Sequence, residues 1–381
     1  MTAESGLKIV ADENIPLITE LFSPFGEVIL LPGREITHSH IMDADILLVR
    51  SVTMVDKNLL ANTRVKFVGS ATAGTDHIDK IWLNDQGIAF ADAKGANGTA
   101  VAEYVICCIA HLQQQGYLTS KKVTAGVIGV GHVGKQVVEK LKLLNFTTLT
   151  NDPPRAVVEE DFISTPLAEL TDVDILCLHT PLIKTGPFPT YHLIDREFLQ
   201  KLKRGCVLLN AGRGAVINSA DLLEYGRHLL WCFDVWEHEP AIDYAVFKNA
   251  AIATPHIAGY TVEAKLHGTL ILYQAAQQFF KLPALTEEQQ FFPTIELDIA
   301  NCSSWQEVLL LNYNPLHNQF RMLIAFMKFP DQRAVQFDLL RKHYQKRHEF
   351  ASITLKNATK LSSADVSLLQ RLNFKTWAKK I

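Results

Sequence analysis

The sequence predicts an α/β protein built on doubly wound parallel sheets and extended by a separate α+β segment. Three observations carry this. Short apolar runs alternate with helical patterns up to about residue 283. A glycine-rich turn separates a strand from a helix midway along the chain. Beyond it, successive apolar strands each end in unusual polar residues, the place where doubly wound sheets bind ligands.

In order, "LKIVAD", "EVILL", "DILLVRS", "KFVGSA" and "IAFAD" read as strands, with "IPLITELFSPF" and "DKNLLANT" as helices between them. Strands alternating with helices imply a parallel sheet covered on both faces. "NGTAVAEYVICCIAHLQQQ" predicts a long helix, with Asn97 placed to cap it and Val101, Val105, Cys108, Ile109 and Leu112 at helical spacing. "KKVTAGVIGVGHVGKQVVEKLKLLNFTTLTNDPPR" reads as strand, glycine turn, helix, strand. The strands "DILCLHTPL", "CVLLNAGRG", "WCFDVWEHEP" and "AAIATPHI" follow. The character changes at "KLPALTEEQQFFP", which places a domain boundary near residue 283. Beyond it the clearest helical stretches are "WQEVLLLNYNPLHNQFRMLIAF" and "QFDLLRKHYQKRHEF".

Bulk properties narrow the function. A chain of 381 residues exceeds one ordinary core. With 48% apolar and 20% charged residues and a net charge of −3, it is neither disordered nor globally basic, so nucleic acid and anionic membrane are not expected partners. The longest apolar run, "VAEYVICCIAHL", is interrupted by Glu103 and is too short to span a bilayer. The six cysteines have no metal-ligand spacing, so buried free thiols and no metal site are expected. The opening "MTAESGLKIVADENI" carries acids where a signal peptide needs basic residues, and a cytoplasmic location is expected.

"GVIGVGHVG" contains Gly129, Gly131 and Gly134 in GxGxxG spacing, after a strand and at the head of a helix. In a Rossmann-like unit the first glycine permits a tight turn. The second lets the backbone approach a pyrophosphate, and the third lets helix and strand pack closely. The helix start then favours the anion. Glycines that serve only a turn would not explain Asp152 arriving after the next strand, where a carboxylate accepts ribose hydroxyls. Asp152 favours NAD over NADP, while Arg155 nearby leaves a 2′-phosphate open.

Hydride transfer from an alcohol needs a base for the hydroxyl proton, and histidine suits it. A carboxylate beside the imidazole stabilises its charged form. A planar guanidinium holds a substrate carboxylate at two points. Arg213 in "NAGRGAVIN", Glu239 in "DVWEHEP" and His256 in "TPHIAGY" supply one of each on successive strand ends. Singly, Arg213 also reads as a surface charge, Glu239 as a capping acid and His256 as a packed turn residue.

"GVGHVG", "HTPL", "NAGRGAVI", "DVWEHEP" and "PHIAGYT" together resemble the D-isomer-specific 2-hydroxyacid dehydrogenases. The resemblance implies two doubly wound parallel-sheet, Rossmann-like domains plus a C-terminal α+β dimerisation domain. Residues 1–95 and 259–282 would bind substrate, 96–258 would bind NAD and 283–381 would form a homodimer. It implies Arg213, Glu239 and His256 as catalytic residues, with His256 as acid/base. Gly129, Gly131, His132, Val133, Gly134, Asp152, Thr180, Ala211, Gly212, Arg213, Asp234 and Gly259 would contact NAD. "VADENIP", "VRSVT", "GSATAGTDHID" and "FDLLRKHYQKRHEF" are similar to a branch of the family acting on 4-phospho-D-erythronate in pyridoxal phosphate biosynthesis. On that resemblance Ser51, Thr72 and Tyr260 contact substrate. Arg50, after an apolar strand and beside Ser51, is the candidate for its phosphate, with Arg347 of a partner subunit as a further cation, although the charges of "RKHYQKRHEF" also read as a solvated helix face. Gly212 departs from the pattern, where a cysteine is expected. Dehydrogenation of another D-2-hydroxy acid such as 3-phosphoglycerate, or NAD sensing without turnover, stays open.

Overall fold

The computed structural model describes residues 6–284 and 291–376. Part of the polar interval at the expected boundary, 285–290, lies outside the described residues. Packing divides the chain into two compact units, Met1–Asn97 with Thr261–Pro293, and Gly98–Tyr260 with Thr294–Ile381.

The first unit holds a five-stranded sheet of β1 (Leu7–Asp12), β2 (Gly26–Leu31), β3 (Ile46–Val49), β4 (Phe67–Ser70) and β5 (Ala89–Asp92). All pairs are parallel, in the order β2-β1-β3-β4-β5. β3 and β4 are buried at every position, which explains why "ILLV" and "FVGS" show no polar alternation. The order reverses between β1 and β3, so their carboxyl ends form a topological switch point.

The second unit holds β6 (Thr124–Ile128), β7 (Thr147–Asn151), β8 (Ile175–Leu178), β9 (Val207–Asn210), β10 (Leu230–Phe233) and β11 (Ile252–Ala253). They form one parallel sheet in the order β11-β10-β9-β8-β6-β7, with its switch point between β6 and β8. The predicted long helix runs Gly98–Gln114, directly after Asn97, and the helix following the glycine turn runs His132–Leu143. A third parallel sheet joins β12 (Ile295–Asp298), β13 (Ile353–Lys356) and β14 (Lys375–Thr376).

The C-terminal segment shares a core with the β6–β11 sheet. Val308, Leu309, Phe350, Ile353 and Leu369 belong to the same apolar cluster as Val101, Val105 and Leu141. Met322, Phe326 and Phe337 join the cluster of Trp236 and Phe247, with the Phe247 and Phe326 rings 5.1 Å apart, edge to face.

Both long C-terminal helical stretches are shorter than expected. The first breaks into Trp305–Asn312 and Pro315–Lys328, because Asn314 accepts the N–H of Leu316 and Pro315 opens the new helix. The second ends at Lys342. The residues beyond it leave the helix, and Arg347 and Glu349 are buried in irregular chain.

Candidate active site

The glycine turn leaves β6 with three distinct local demands. Gly129 has φ +84°, and a Cβ there would lie 2.7 Å from the Thr180 N. A Cβ at Gly134 would lie 2.0 Å from the Gly129 carbonyl oxygen, so helix and turn touch backbone to backbone. At Gly131 the same construction meets nothing within 4 Å. Gly131 caps the helix His132–Leu143 without a side-chain acceptor, so open space adjoins a helix start. This fits an approaching pyrophosphate.

Asp152 stands beyond β7 as expected. Its carboxylate accepts the Val130 N–H at 2.8 Å and the Arg155 N–H at 3.1 Å. Arg155 is held by Glu159 at 2.7 Å, by the Val130 oxygen and by the Phe162 ring. That engagement compensates the charge a 2′-phosphate would need. Thr180 is buried beside the turn and donates to the Pro181 oxygen. The ring nitrogens of the neighbouring, half-buried His179 are enclosed, neither has a hydrogen-bond partner among the described residues, and burial lowers its pKa to about 3.

His256 follows β11 in the left-handed region, φ +54°. That conformation costs an L-residue roughly 1–2 kcal/mol and persists only where the surroundings fix it. They do so here. The His256 N–H donates to the Asp234 oxygen at 2.7 Å. Its Nδ1 meets Glu239 Oε2 at 2.7 Å, and the other Glu239 oxygen accepts the Trp236 N–H at 2.8 Å. Burial alone would raise the Glu239 carboxyl. The His256 imidazole, the Trp236 N–H and the charge of Arg341 outweigh it and hold the carboxyl below its ordinary range. An ionised Glu239 makes Nδ1 the donor, which leaves Nε2 as the proton acceptor.

Asp234, expected at the cofactor, is wholly enclosed. Its carboxylate accepts Thr254 Oγ1 at 2.6 Å and the N–H groups of Ile257 and Ala258 at 2.8 and 2.9 Å. Burial raises its pKa. Its visible task is to shape the histidine loop. Tyr104, on the helix Gly98–Gln114, reaches Thr254 at 2.8 Å from behind.

Arg213 follows β9. Asn210 fixes its loop, accepting the Gly212 N–H and donating to the Arg213 oxygen, both at 3.0 Å. The next residue, Gly214, backs so closely onto Trp236 that a Cβ would lie 1.9 Å from its carbonyl carbon. The Arg213 loop is thus locked against the residue whose N–H holds Glu239. At Gly212 a Cβ would sit 3.0 Å from the Thr180 oxygen, so a cysteine there would press on the end of β8. Ala211 and Gly212 continue directly from β9, and Gly259 and Tyr260 close the histidine loop, where the Tyr260 hydroxyl accepts from Arg341 at 3.1 Å.

In the first unit, Arg50 and Ser51 follow β3 at the switch point, and Arg50 Nε meets the buried Asp12 of β1 at 2.9 Å. Burial and the charge of Arg50 lower the pKa of Lys265. Thr72 follows β4, bonded to Ser70 at 2.9 Å and to the Gly74 oxygen. Arg347 corrects an expectation. It is buried within its own chain, donating to main-chain oxygens of Ala100 and Ala258, and is not a cation presented to another subunit.

Residues 109–258 match the family model of the D-isomer specific 2-hydroxyacid dehydrogenase NAD binding domain. The chain is 50% identical over 352 residues to the erythronate-4-phosphate dehydrogenase of Coxiella burnetii, covering 92% of this chain and 95% of that one. It belongs to the erythronate-4-phosphate dehydrogenase family. The Serratia proteamaculans member is 41% identical, covering 97% of this chain and all of that one. Among solved structures, NAD-bound 3-phosphoglycerate dehydrogenase from Entamoeba histolytica superposes with a TM-score of 0.60 at 26% identity, covering 74% of this chain and 99% of that one. About a quarter of the present chain therefore lies outside that shared frame.

Family motifs pointed to none of four features: Arg341 on Tyr260, Arg347 on Ala258, the Tyr104–Thr254 contact, and a second pair, His192 Nε2 with Glu237 at 2.7 Å. "WEHEP" offers two acids, and each has its own histidine.

Proposed function

We propose that this chain oxidises 4-phospho-D-erythronate at C2, with NAD as acceptor, to (R)-3-hydroxy-2-oxo-4-phosphooxybutanoate, a step toward pyridoxal 5′-phosphate. The observation that carries the reading is the His256–Glu239 pair at the strand ends of the unit whose glycine turn fits a dinucleotide. NAD, when bound, supplies the carbon that receives the hydride. His256 takes the hydroxyl proton at Nε2, and ionised Glu239 stabilises the resulting imidazolium. Arg213 grips the substrate carboxylate with two parallel N–H groups. Gly129, Gly131, His132, Val133, Gly134 and Thr180 form the cofactor turn, and Asp152 takes the ribose. Ala211, Gly212, Arg213 and Gly259 complete the cofactor set, and the buried Asp234, first expected to contact NAD, supports it from behind by shaping the histidine loop. Ser51, Thr72 and Tyr260 contact substrate, and Arg50, with Lys265 close enough to sense its charge, receives the phosphate.

A panel of 2-hydroxy acids assayed for NADH formation tests this. Turnover is expected with 4-phosphoerythronate and at least about tenfold less, in kcat/KM, with unphosphorylated erythronate, because a charge-assisted phosphate contact contributes roughly 1.5–3 kcal/mol. Equal turnover of unphosphorylated acids or of 3-phosphoglycerate would remove the substrate assignment. NADH binding with no turnover of any acid would favour a sensor.

The division of labour follows the same lines: residues 1–95 with 259–282 for substrate, 96–258 for NAD and 283–381 for self-association. For the last, the helix Pro315–Lys328 exposes Phe320, Ile324 and Met327 at i, i+4, i+7 spacing, and the helix Arg333–Lys342 exposes Val335 and Leu339. Such an apolar face fits a second copy of the chain. Ile324→Glu is expected to convert a dimer to monomer by light scattering; a wild-type mass of one chain would end the proposal. All six cysteines are buried free thiols, which fits the cytoplasm, and among the described residues no helix is long and apolar enough to cross a membrane.

A further inference from the structure

The chain between the helix Arg333–Lys342 and β13 is largely irregular, yet it buries Arg347 to 6% exposure. One guanidinium nitrogen, Nη2, donates to two main-chain oxygens, those of Ala100 and Ala258. The guanidinium carbon lies 4.7 Å from the centroid of the Tyr313 ring. Three residues on, the Phe350 N–H donates to both carboxylate oxygens of Glu103, at 3.1 and 3.0 Å. Burying a guanidinium carries a desolvation cost, and an apolar side chain of similar volume would fill the space without it. What the charge adds is a fixed donor for a peptide two residues past His256.

The main chain of Ala258 is held on both sides, its N–H donating to Asp234 and its oxygen accepting from Arg347. A left-handed histidine needs such over-determination, because the loop would otherwise relax toward an ordinary conformation and turn the imidazole. The second acceptor, Ala100, lies in the first turn of the helix that also sends Tyr104 to Thr254. One guanidinium therefore ties the histidine loop to the same helix that supports the start of that loop.

We propose that Arg347 is a positioning residue for hydride transfer, acting through the Ala258 carbonyl to hold the loop that carries His256. The inference rests on the catalytic reading of His256 given above. Arg347→Met and Arg347→Lys are assayed with 4-phosphoerythronate carrying hydrogen or deuterium at C2, alongside NADH titration and thermal melting. The methionine variant is expected to lose roughly 10–100-fold in kcat, the scale of a small misplacement of reacting groups. KM and NADH affinity should stay within about twofold, and the isotope effect on kcat should rise as the chemical step becomes slower. Lysine, whose ammonium reaches a carbonyl from one point, is expected to recover part of the rate. Wild-type kcat and isotope effect in either folded variant would overturn the proposal. So would activity that falls only in proportion to the folded fraction, with the isotope effect unmoved. Should the methionine variant not fold, the lysine variant decides by the same two readings. The wild-type enzyme, which must turn over the substrate, separates failure of the functional reading from failure of this one.

Discussion

Replacing His256 by asparagine lowers turnover roughly 10²–10⁴-fold while NADH affinity stays within about twofold of wild type. The lower bound is the usual contribution of acid–base assistance, about 3 kcal/mol of barrier, and the upper about 5. Asparagine is chosen because position 256 has φ +54°, a region asparagine tolerates well. Its backbone cost is small, so lost activity reports on the imidazole. His256→Ala removes the same base but adds strain, and comparing the two measures how much the loop conformation matters. Cofactor affinity is spared because the turn proposed for the cofactor, around Gly129 to Gly134, lies on a different strand end from His256. The measurements are steady-state rates and NADH fluorescence titration. A variant that loses NADH binding along with turnover would make the histidine structural. One that keeps more than a tenth of wild-type kcat would show that another group takes the proton, and His192, already paired with Glu237, would be the first to examine.

The features legible in the sequence were those whose physics is local. The glycine turn, Asp152 beyond the next strand and the run of polar strand ends follow from short-range demands, and the structure places each at the end of a parallel strand. The meeting of Glu239 and His256 was also legible, because successive strands of one parallel sheet bring their ends together. What escaped reading depends on contacts distant in the chain. Asp234 appears in sequence as one more polar strand-end residue. Only coordinates show it consumed by Thr254, Ile257 and Ala258. "RKHYQKRHEF" has helical composition throughout, and no glycine or proline marks its break at Lys342. The break is set by tertiary demand, since Arg347 and Phe350 engage Ala258, Ala100 and Glu103, all far away in sequence. No local period encodes such contacts.

Alanine at Gly134 and alanine at Gly131 should separate the two roles that one motif combines. Gly134→Ala puts a Cβ 2.0 Å from the Gly129 carbonyl oxygen and 2.9 Å from its carbon. Both neighbours are backbone, so no rotamer change relieves the clash. The helix His132–Leu143 must draw back or the turn must deform. Overpacking of this kind costs about 1–3 kcal/mol and often more at backbone contacts. Thermal melting is therefore expected to fall by several degrees. NADH affinity should fall roughly 100-fold or more, because the shift moves the helix start and the turn that would face the pyrophosphate. Gly131→Ala meets nothing within 4 Å in the protein itself. Its melting temperature should match wild type to within about a degree, since no contact is compressed. Its NADH affinity should still drop roughly tenfold or more, because the added methyl occupies the space where backbone and pyrophosphate must meet. The pair thus distinguishes a glycine needed by the fold from one needed by the ligand. Wild-type NADH affinity in Gly131→Ala would show that the pyrophosphate does not approach this turn, and the assignment of the cofactor site would fall with it.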